Sequence, residues 1–182
     1  MDDPEPYLNF VTLNIFHPFS YETLIYFLVL IVLIVFSALV SGSEVALFSL
    51  TPTEKDLINN SEAKTHERVR FLLIKPKKLL ATILIANNFI NIAIILLSTI
   101  TIGNIFNLEL IPDWANFLIQ AIGITFIILL FGEVIPKVYA TKHALNLACF
   151  MSTPLNILVK VFSPISFMLV SSTKVIDKRV KR

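Results

Sequence analysis

The chain has 182 residues, of which 55% are hydrophobic and 15% are charged, and its formal net charge at pH 7 is +2. Soluble domains of this size carry about 25% charged residues, so the composition excludes an ordinary soluble globular domain. The single cysteine, Cys149, excludes an intramolecular disulfide and a cysteine-based metal cluster.

Long apolar runs without any charged residue are the main structural signal. A helix of about 20 apolar residues is long enough to cross about 30 Å of hydrocarbon. Three such runs occur, namely Thr23–Val40, Leu79–Gly103 and Ala115–Gly132. We therefore predict an all-α membrane protein with three transmembrane helices, at about residues 23–43, 79–103 and 115–136.

A fourth apolar stretch, Ala144–Val170, is interrupted by Pro154, Lys160 and Pro164. Proline removes a backbone donor and kinks or ends a helix. We predict that this stretch is broken at the prolines and forms juxtamembrane helices at about residues 144–173, along the membrane interface. A fourth complete crossing is the alternative.

The distribution of lysine and arginine predicts the orientation. All 15 basic residues fall between the first two spans or after the third span. Segment 1–22 and the loop 104–114 contain acidic residues but no lysine or arginine. By the positive-inside rule, the N-terminus is outside and the C-terminus is in the cytoplasm. Acidic residues such as Glu54 and Asp56 interrupt the basic loop, which argues against nucleic-acid binding.

The predicted organisation has three parts. Residues 1–21 form an acidic extracytoplasmic segment without the features of a cleavable signal peptide. Residues 22–173 form the transmembrane domain, surrounded by membrane lipids. Residues 174–182 are a basic segment that resembles a linker toward a cytoplasmic region. The predicted location is the inner (cytoplasmic) membrane.

Each predicted span carries one cluster of polar residues, and polar groups at membrane depth are functional candidates. The first cluster is Ser37, Ser41, Gly42, Ser43 and Glu44. Ser37 and Ser41 are four residues apart and so share a helix face. Gly42, between two serines, is expected to break the helix locally. Helix packing through small residues is the alternative explanation for this cluster.

The second cluster, Asn87, Asn88 and Asn91, lies near the middle of the second span. Asn87 and Asn91 are one turn apart on the same face. Hydrogen bonding between helices is the alternative explanation, although three asparagines within five residues exceed what packing usually requires.

The third cluster is the segment 131–137, in which Glu133 follows an uncharged run and Pro136 follows Glu133. In an α-helix, Pro136 offers no amide to the carbonyl four residues earlier, which belongs to Gly132. We predict that this freed carbonyl lies beside the Glu133 carboxylate.

The alternating spans bring all three clusters into the half of the bilayer near the basic loops. Their donors are hydroxyls, amide oxygens, a carbonyl and one carboxylate, which are the ligands that Mg²⁺ and Ca²⁺ prefer. The same donors could hold Na⁺. A single carboxylate leaves a divalent ion under-neutralised, which suits a transport site that must release its ion.

These three clusters resemble the transmembrane (DUF21) domain of the CorC/CNNM family of magnesium transport proteins. The resemblance covers roughly residues 22–180. The chain also resembles gliding-associated members of the family from Bacteroidetes. It implies a homodimer that binds Mg²⁺ among the three spans in an inward-open cavity, and Mg²⁺ efflux driven by Na⁺. The implied ligands are Ser37, Ser41, Ser43, Asn87, Asn91, the Gly132 carbonyl and Glu133. Cytoplasmic CBS domains normally follow this domain in the family.

Two alternatives to a transporter belong to other functional classes. A membrane scaffold or regulatory subunit of a gliding or secretion machine could use the same oxygen cluster as a structural or sensory cation site. An intramembrane hydrolase would need a base beside its serine nucleophile, and no histidine or lysine lies inside a predicted span. We therefore expect no enzymatic activity.

Overall fold

The computed structural model of the chain describes residues 20–107 and 112–168, and every regular element in these ranges is a helix. The main helices are α1 (Tyr21–Phe48), α2 (Pro52–Asn60), α3 (Lys64–Leu73), α4 (Pro76–Ile105), α5 (Asp113–Lys142) and α6 (Ala144–Val161). A short helix, α7, covers residues 163–168. Most of the predicted N-terminal segment, and the predicted linker 174–182, lie outside the described residues.

Helix α1 is continuous through the first polar cluster. It begins at Ser20, whose hydroxyl accepts a hydrogen bond from the Thr23 amide at 3.3 Å. It then runs without interruption to Phe48, so the expected break at Gly42 is wrong. A Cβ on Gly42 would lie 3.3 Å from the Pro136 carbonyl oxygen and 3.2 Å from Leu147. Gly42 therefore serves close helix packing, because its missing side chain lets α5 and α6 approach.

Helices α2 and α3 connect α1 to α4 at the basic end of the bundle, which we define as the end that holds Phe48, Pro76 and Lys142. The opposite end, which holds Tyr21 and Asp113, is the acidic end. Both helices are short and polar, and each buries only one or two apolar side chains on the main core. Pro76 begins α4, in agreement with the preference of proline for the first turn of a helix.

Helix α5 contains two π-helical segments, Ile119–Ile124 and Ile128–Val134, and the second includes Gly132 and Glu133. The Ile135 amide accordingly donates to the Leu130 carbonyl, five residues earlier. The prediction that Pro136 frees the Gly132 carbonyl assumed the four-residue spacing of an α-helix, which this π-helical segment does not have. The role of this carbonyl as a ligand stays a prediction. π-Helical turns inside α-helices are rare and frequently mark functional sites.

Helix α6 passes through Pro154 without a break, so the predicted interruption at this proline is wrong. Its buried face packs on α1, α3 and α4, and this packing compensates for the lost backbone hydrogen bond. The break occurs instead at Phe162, before Pro164. Pro164 then lies in the first turn of α7, where its missing amide proton costs no helical hydrogen bond.

Both ends of α6 lie at the basic end of the bundle. One residue, His143, separates the end of α5 at Lys142 from the start of α6 at Ala144. Just after its last residue, the Ser163 hydroxyl accepts a hydrogen bond from Lys78, in the first turn of α4, at 2.7 Å. Four described helices are long and apolar enough to span a membrane, and α6 is one of them. With both ends of α6 at the basic end, the number of membrane spans stays a prediction.

Helix α1 is central and contacts α4, α5 and α6. A large apolar core joins all six main helices, and α5 contributes Ala140 to it. The other members include Leu47, Ile58, Val69, Leu79 and Leu155. A smaller core nearer the acidic end consists of Leu30, Ile94, Ile124 and Ile128. The polar clusters predicted from the sequence lie between these two cores.

The outer surface of the long helices is apolar. Phe27, Val32 and Phe36 on α1, and Leu96 on α4, are at least half exposed. Exposed large apolar patches on this scale are not found on monomeric soluble proteins and mark a membrane-facing surface. Tyr21 and Trp114 are exposed at the acidic end, where interfacial aromatic residues are expected. The chain is an all-α, multi-pass membrane protein, as the sequence predicts.

Candidate metal centre

Four of the predicted ligands meet at one point between α1, α4 and α5. The Ser37 hydroxyl lies 2.9 Å from Asn91 Oδ1 and 3.2 Å from Asn87 Oδ1. The amide nitrogens of both asparagines donate to Glu133 Oε1, each at 3.2 Å. Ser37 is fully buried, whereas the two asparagines and Glu133 are half-buried. Each of the three predicted spans therefore contributes to one hydrogen-bonded cluster.

The cluster has more oxygen acceptors than protons at its centre. A serine hydroxyl carries one proton, yet two amide oxygens lie within hydrogen-bond distance of Ser37 Oγ. That proton serves both amide oxygens, either shared between them or given to one at a time. Both oxygens therefore keep unused lone pairs, and a cation would be an attractive partner for them.

Gly132 allows α5 to approach Ser37 closely. A Cβ on Gly132 would lie 2.9 Å from Ser37 Oγ and 3.4 Å from Ser37 Cβ. Contacts shorter than 3.0 Å essentially never occur for a real Cβ, so no larger residue fits without moving Ser37. The backbone of the 131–137 motif thus lies directly against the serine of the first motif.

Ser41 and Ser43 differ in their partners. Ser41 Oγ is buried and has no hydrogen-bond partner among the described residues. Such a group is costly unless something unseen satisfies it. The Ser43 hydroxyl is also buried, but it donates to the Val40 carbonyl of its own helix at 2.6 Å. Its proton is therefore used, and only its oxygen lone pairs remain for an ion.

Asn88 lies outside the cluster. Its side chain is exposed, and its amide donates to the Leu84 carbonyl of the same helix at 2.8 Å. The one-turn spacing predicted correctly that Asn87 and Asn91 share a face.

An ion pair between the ends of α1 and α5 was not predicted. Lys137 Nζ lies 3.7 Å from Glu44 Oε2, and both side chains are partly exposed. Both residues belong to the predicted motifs, so their charges and positions were a usable signal. The pair lies between the oxygen cluster and the basic end, because Glu44 follows Ser37 along α1 and Lys137 follows Glu133 along α5.

The donor set fits a hard cation. All of its members are oxygen atoms, which suits Mg²⁺, Ca²⁺ or Na⁺ better than zinc or copper. The described residues contain no group of three histidine, cysteine or acidic side chains that could hold a softer metal. Asn87 is eleven residues from the start of α4, which places the cluster roughly 16 Å from the basic end.

Comparison with known families gives a match over most of the chain. Residues 28–181 match the cyclin M transmembrane N-terminal domain. This chain belongs to the cyclin M family. The match includes all three motifs and all seven predicted ligands, from Ser37 to Glu133. The resemblance seen in the sequence is therefore confirmed at the level of the family.

Individual relatives come from bacteria and plants. A UPF0053 protein of Haemophilus influenzae is 35% identical over 148 residues, which are 81% of this chain and 34% of the relative. The UPF0053 inner membrane protein YfjD of Escherichia coli is 32% identical over 68% of this chain and 28% of its own length. A DUF21 domain-containing protein of Arabidopsis thaliana is 27% identical over 84% of this chain and 27% of its own length. The chain thus spans about a third of the curated relatives that it matches.

Proposed function

We propose that this cyclin M domain binds Mg²⁺ as a transported substrate at the cluster of Ser37, Asn87, Asn91 and Glu133. The two asparagine oxygens that converge on one serine proton, beside a single carboxylate, are the observation that carries this proposal. The proposed ligand set also includes three further oxygen atoms, which are the Ser41 hydroxyl oxygen, the Ser43 hydroxyl oxygen and the Gly132 carbonyl oxygen.

The asparagine amides bring partial positive charge to Glu133. Both amide nitrogens donate to its Oε1 atom, which offsets part of the carboxylate charge at membrane depth. When an ion binds, Glu133 turns from these amides to the cation, and the Oδ1 atoms supply neutral ligands. One carboxylate balances only half of a divalent charge, so binding remains weak enough for release.

We further propose that net transport is Mg²⁺ efflux driven by Na⁺, from a cavity that opens at the basic end. The cluster lies in the half of the bundle near that end, where the positive-inside rule places the cytoplasm. A relative named as an inner membrane protein supports location in the inner membrane. We also propose a homodimer, and CBS domains as the cytoplasmic partners of this domain.

The decisive test is magnesium-dependent thermal stabilisation of the purified chain in detergent. Glu133→Gln keeps the shape of the side chain and removes its charge, so we expect the magnesium shift to disappear. Glu22→Gln is the matched control, because Glu22 is exposed in the first turn of α1 at the acidic end. Na⁺ and Ca²⁺ are compared at equal ionic strength.

A magnesium shift that Glu133→Gln leaves intact would contradict the proposed site. If binding is lost as expected, Mg²⁺ flux is then measured in liposomes with and without a Na⁺ gradient. Binding without flux would favour the scaffold or regulatory function, in which the ion is structural or sensory.

A further inference from the structure

A cavity lies at the basic end, between the first turn of α4 and helix α7. Its volume is about 820 Å³, and its lining consists of Lys75, Pro76, Lys77, Lys78, Ser163, Pro164, Ser166 and Phe167. None of these residues is acidic. The cavity is separate from the oxygen cluster, whose asparagines lie two to four turns further along α4.

Two hydrogen bonds hold the walls of this cavity in place. Lys78 Nζ donates to Ser163 Oγ at 2.7 Å. The hydroxyls of Thr82 and Ser166, both fully buried, share a hydrogen bond of 2.9 Å. Because both bonds join α4 to α7, the cavity is a built feature of the fold.

The positive charge around the cavity favours an anionic ligand. Lys75 and Lys78 contribute positive charge, and the cavity opens at the N-terminus of a 30-residue helix, whose dipole adds to the positive potential. Lys75 is exposed, and Lys78 is half-buried with its amine already directed to the Ser163 hydroxyl. A phosphate oxygen beside Ser163 would therefore meet both an ammonium group and a hydroxyl.

The position of the cavity, beside both lysines and exposed apolar residues, favours a lipid as this ligand. The α4 sequence changes from lysines to the apolar residues Leu79 and Leu80 within the first turn, so the cavity lies where the polar interface meets the hydrocarbon. Phe167 lines it and is 71% exposed, and neighbouring Met168 is 70% exposed. These apolar side chains provide a surface for an acyl chain below the headgroup.

We propose that this cavity binds the headgroup of an anionic phospholipid from the leaflet at the basic end. The phosphate lies between Lys75, Lys78 and Ser163, and the acyl chains extend past Phe167. Basic pockets between membrane helices are known to bind acidic lipid headgroups. The bound lipid bridges α4 and α7, and thereby stabilises the packing of the C-terminal helices.

The test is native mass spectrometry of the full chain released from detergent with phosphatidylglycerol or phosphatidylcholine. We expect adducts with phosphatidylglycerol at much lower lipid concentration. The double variant Lys75→Gln/Lys78→Gln should weaken these adducts on the order of thirtyfold. The control Lys55→Gln/Lys142→Gln removes the same charge from two exposed lysines outside the cavity and should leave them unchanged.

Three results would overturn the proposal: equal binding of both lipids, equal weakening by the control, or no effect of the double variant. Competition by inorganic phosphate at the affinity of the lipid would identify a free-anion site instead. Lys75→Gln alone retains the bond from Lys78 to Ser163, so its lipid binding remains interpretable if the double variant unfolds. It should show part of the same loss.

Discussion

At the scale of single residues, the position of one proton organises the proposed ion site. Ser37 Oγ faces two asparagine oxygens, while Glu133 Oε1 accepts from both asparagine nitrogens. Each asparagine side chain therefore connects the Ser37 hydroxyl to the Glu133 carboxylate by hydrogen bonds. Removing either asparagine therefore takes one acceptor from Ser37 and one donor from Glu133.

Asn91→Leu should remove magnesium binding, and Asn88→Leu should not. Leucine at position 91 deletes one ligand oxygen and one donor to Glu133, and hydrogen bonds to charged groups are each worth about 1.5–3 kcal/mol. Asn88 is the matched control, since it is exposed and bonded within its own helix. Isothermal titration with Mg²⁺ measures the difference. Equal losses of Mg²⁺ affinity in the two variants would show that the helix face of Asn87 and Asn91 has no special role in binding.

Gly132→Ala should damage the site, whereas Gly123→Ala on the same helix should be tolerated. The new Cβ at position 132 would lie 2.9 Å from Ser37 Oγ, and Ser37 can move only by giving up its contacts with the asparagines. Nothing lies within 4 Å of a Cβ at Gly123. We expect a loss of about 1–3 kcal/mol in stability for the first variant, together with weakened magnesium binding.

Thermal unfolding in detergent compares the two glycine variants directly. If Gly132→Ala were as stable as the parent and bound Mg²⁺ equally well, α5 would not require the close approach to Ser37. Gly123→Ala also reports any general effect of alanine in this helix, because it makes the same chemical change.

Sequence reasoning identified the residues of the cluster but not their bonding. The one-turn spacing of Asn87 and Asn91 placed them on one face, and the order of the motifs predicted that they would meet Glu133. The direction of each amide depends on which partner each atom meets in three dimensions. The ion pair between Glu44 and Lys137 was missed for the same reason, since it joins residues 93 positions apart.

At the scale of helices, apolar runs predicted the existence of each long element, and local breakers predicted their ends less well. Gly42 and Pro154 both lie inside continuous helices. In each case tertiary packing compensates for the local cost, and packing partners are distant in sequence. Pro52 and Pro76 lie in the first turn of their helices, where proline needs no such compensation because the amide it lacks would have no helical partner.

Thr51→Ala should destabilise α2 by about 1 kcal/mol, the usual cost of losing an N-cap side chain. Thr51 and Glu54 form a capping box: the Thr51 amide and hydroxyl both donate to Glu54 Oε2 at 2.8 Å. Hydrogen exchange of the α2 amides measures the change. Thr53→Ala, at an exposed position two residues further along the chain, should leave the exchange nearly unchanged.

The capping box also predicts a pH dependence for α2. The hydrogen bonds from the Thr51 backbone and side chain lower the pKa of Glu54 below its ordinary value of 4.5. A folded-state pKa below the unfolded value stabilises the helix above the unfolded pKa, and this contribution is lost as the pH falls through the folded pKa. The protection of the α2 amides, corrected for the intrinsic pH dependence of exchange, should therefore fall below about pH 4.5. The Glu54→Gln variant has no titrating carboxyl at this position and should lack this fall, so an identical profile would contradict the assignment.

At the scale of the whole molecule, the proposed ion site lies between two apolar cores of unequal size. The larger core includes the short helices and α6 at the basic end, and the smaller one joins α1, α4 and α5 nearer the acidic end. The cluster is thus held by well-packed helices on one side and by fewer contacts on the other.

The path of α6 decides between three and four membrane spans, and single cysteines can measure it. Arg68 of α3 donates to Thr153 in the middle of α6 at 2.7 Å, and Lys160 lines a cavity together with Lys64 and Arg68. These polar contacts place α6 alongside a charged helix of the basic end. We therefore expect Lys142→Cys and Lys160→Cys, in a Cys149→Ser background, to face the same side of the membrane.

A membrane-impermeant maleimide applied to intact cells and to inverted vesicles reports the side of each cysteine. Asp113→Cys, at the start of α5, is the reference for the acidic end. In the three-span arrangement with a cytoplasmic basic end, positions 142 and 160 are labelled only in inverted vesicles, and position 113 only in intact cells. If α6 crossed the membrane, position 160 would be labelled together with position 113. That result would separate Ser163 from Lys78 by the thickness of the bilayer, and it would contradict both the three-span topology and the proposed lipid cavity.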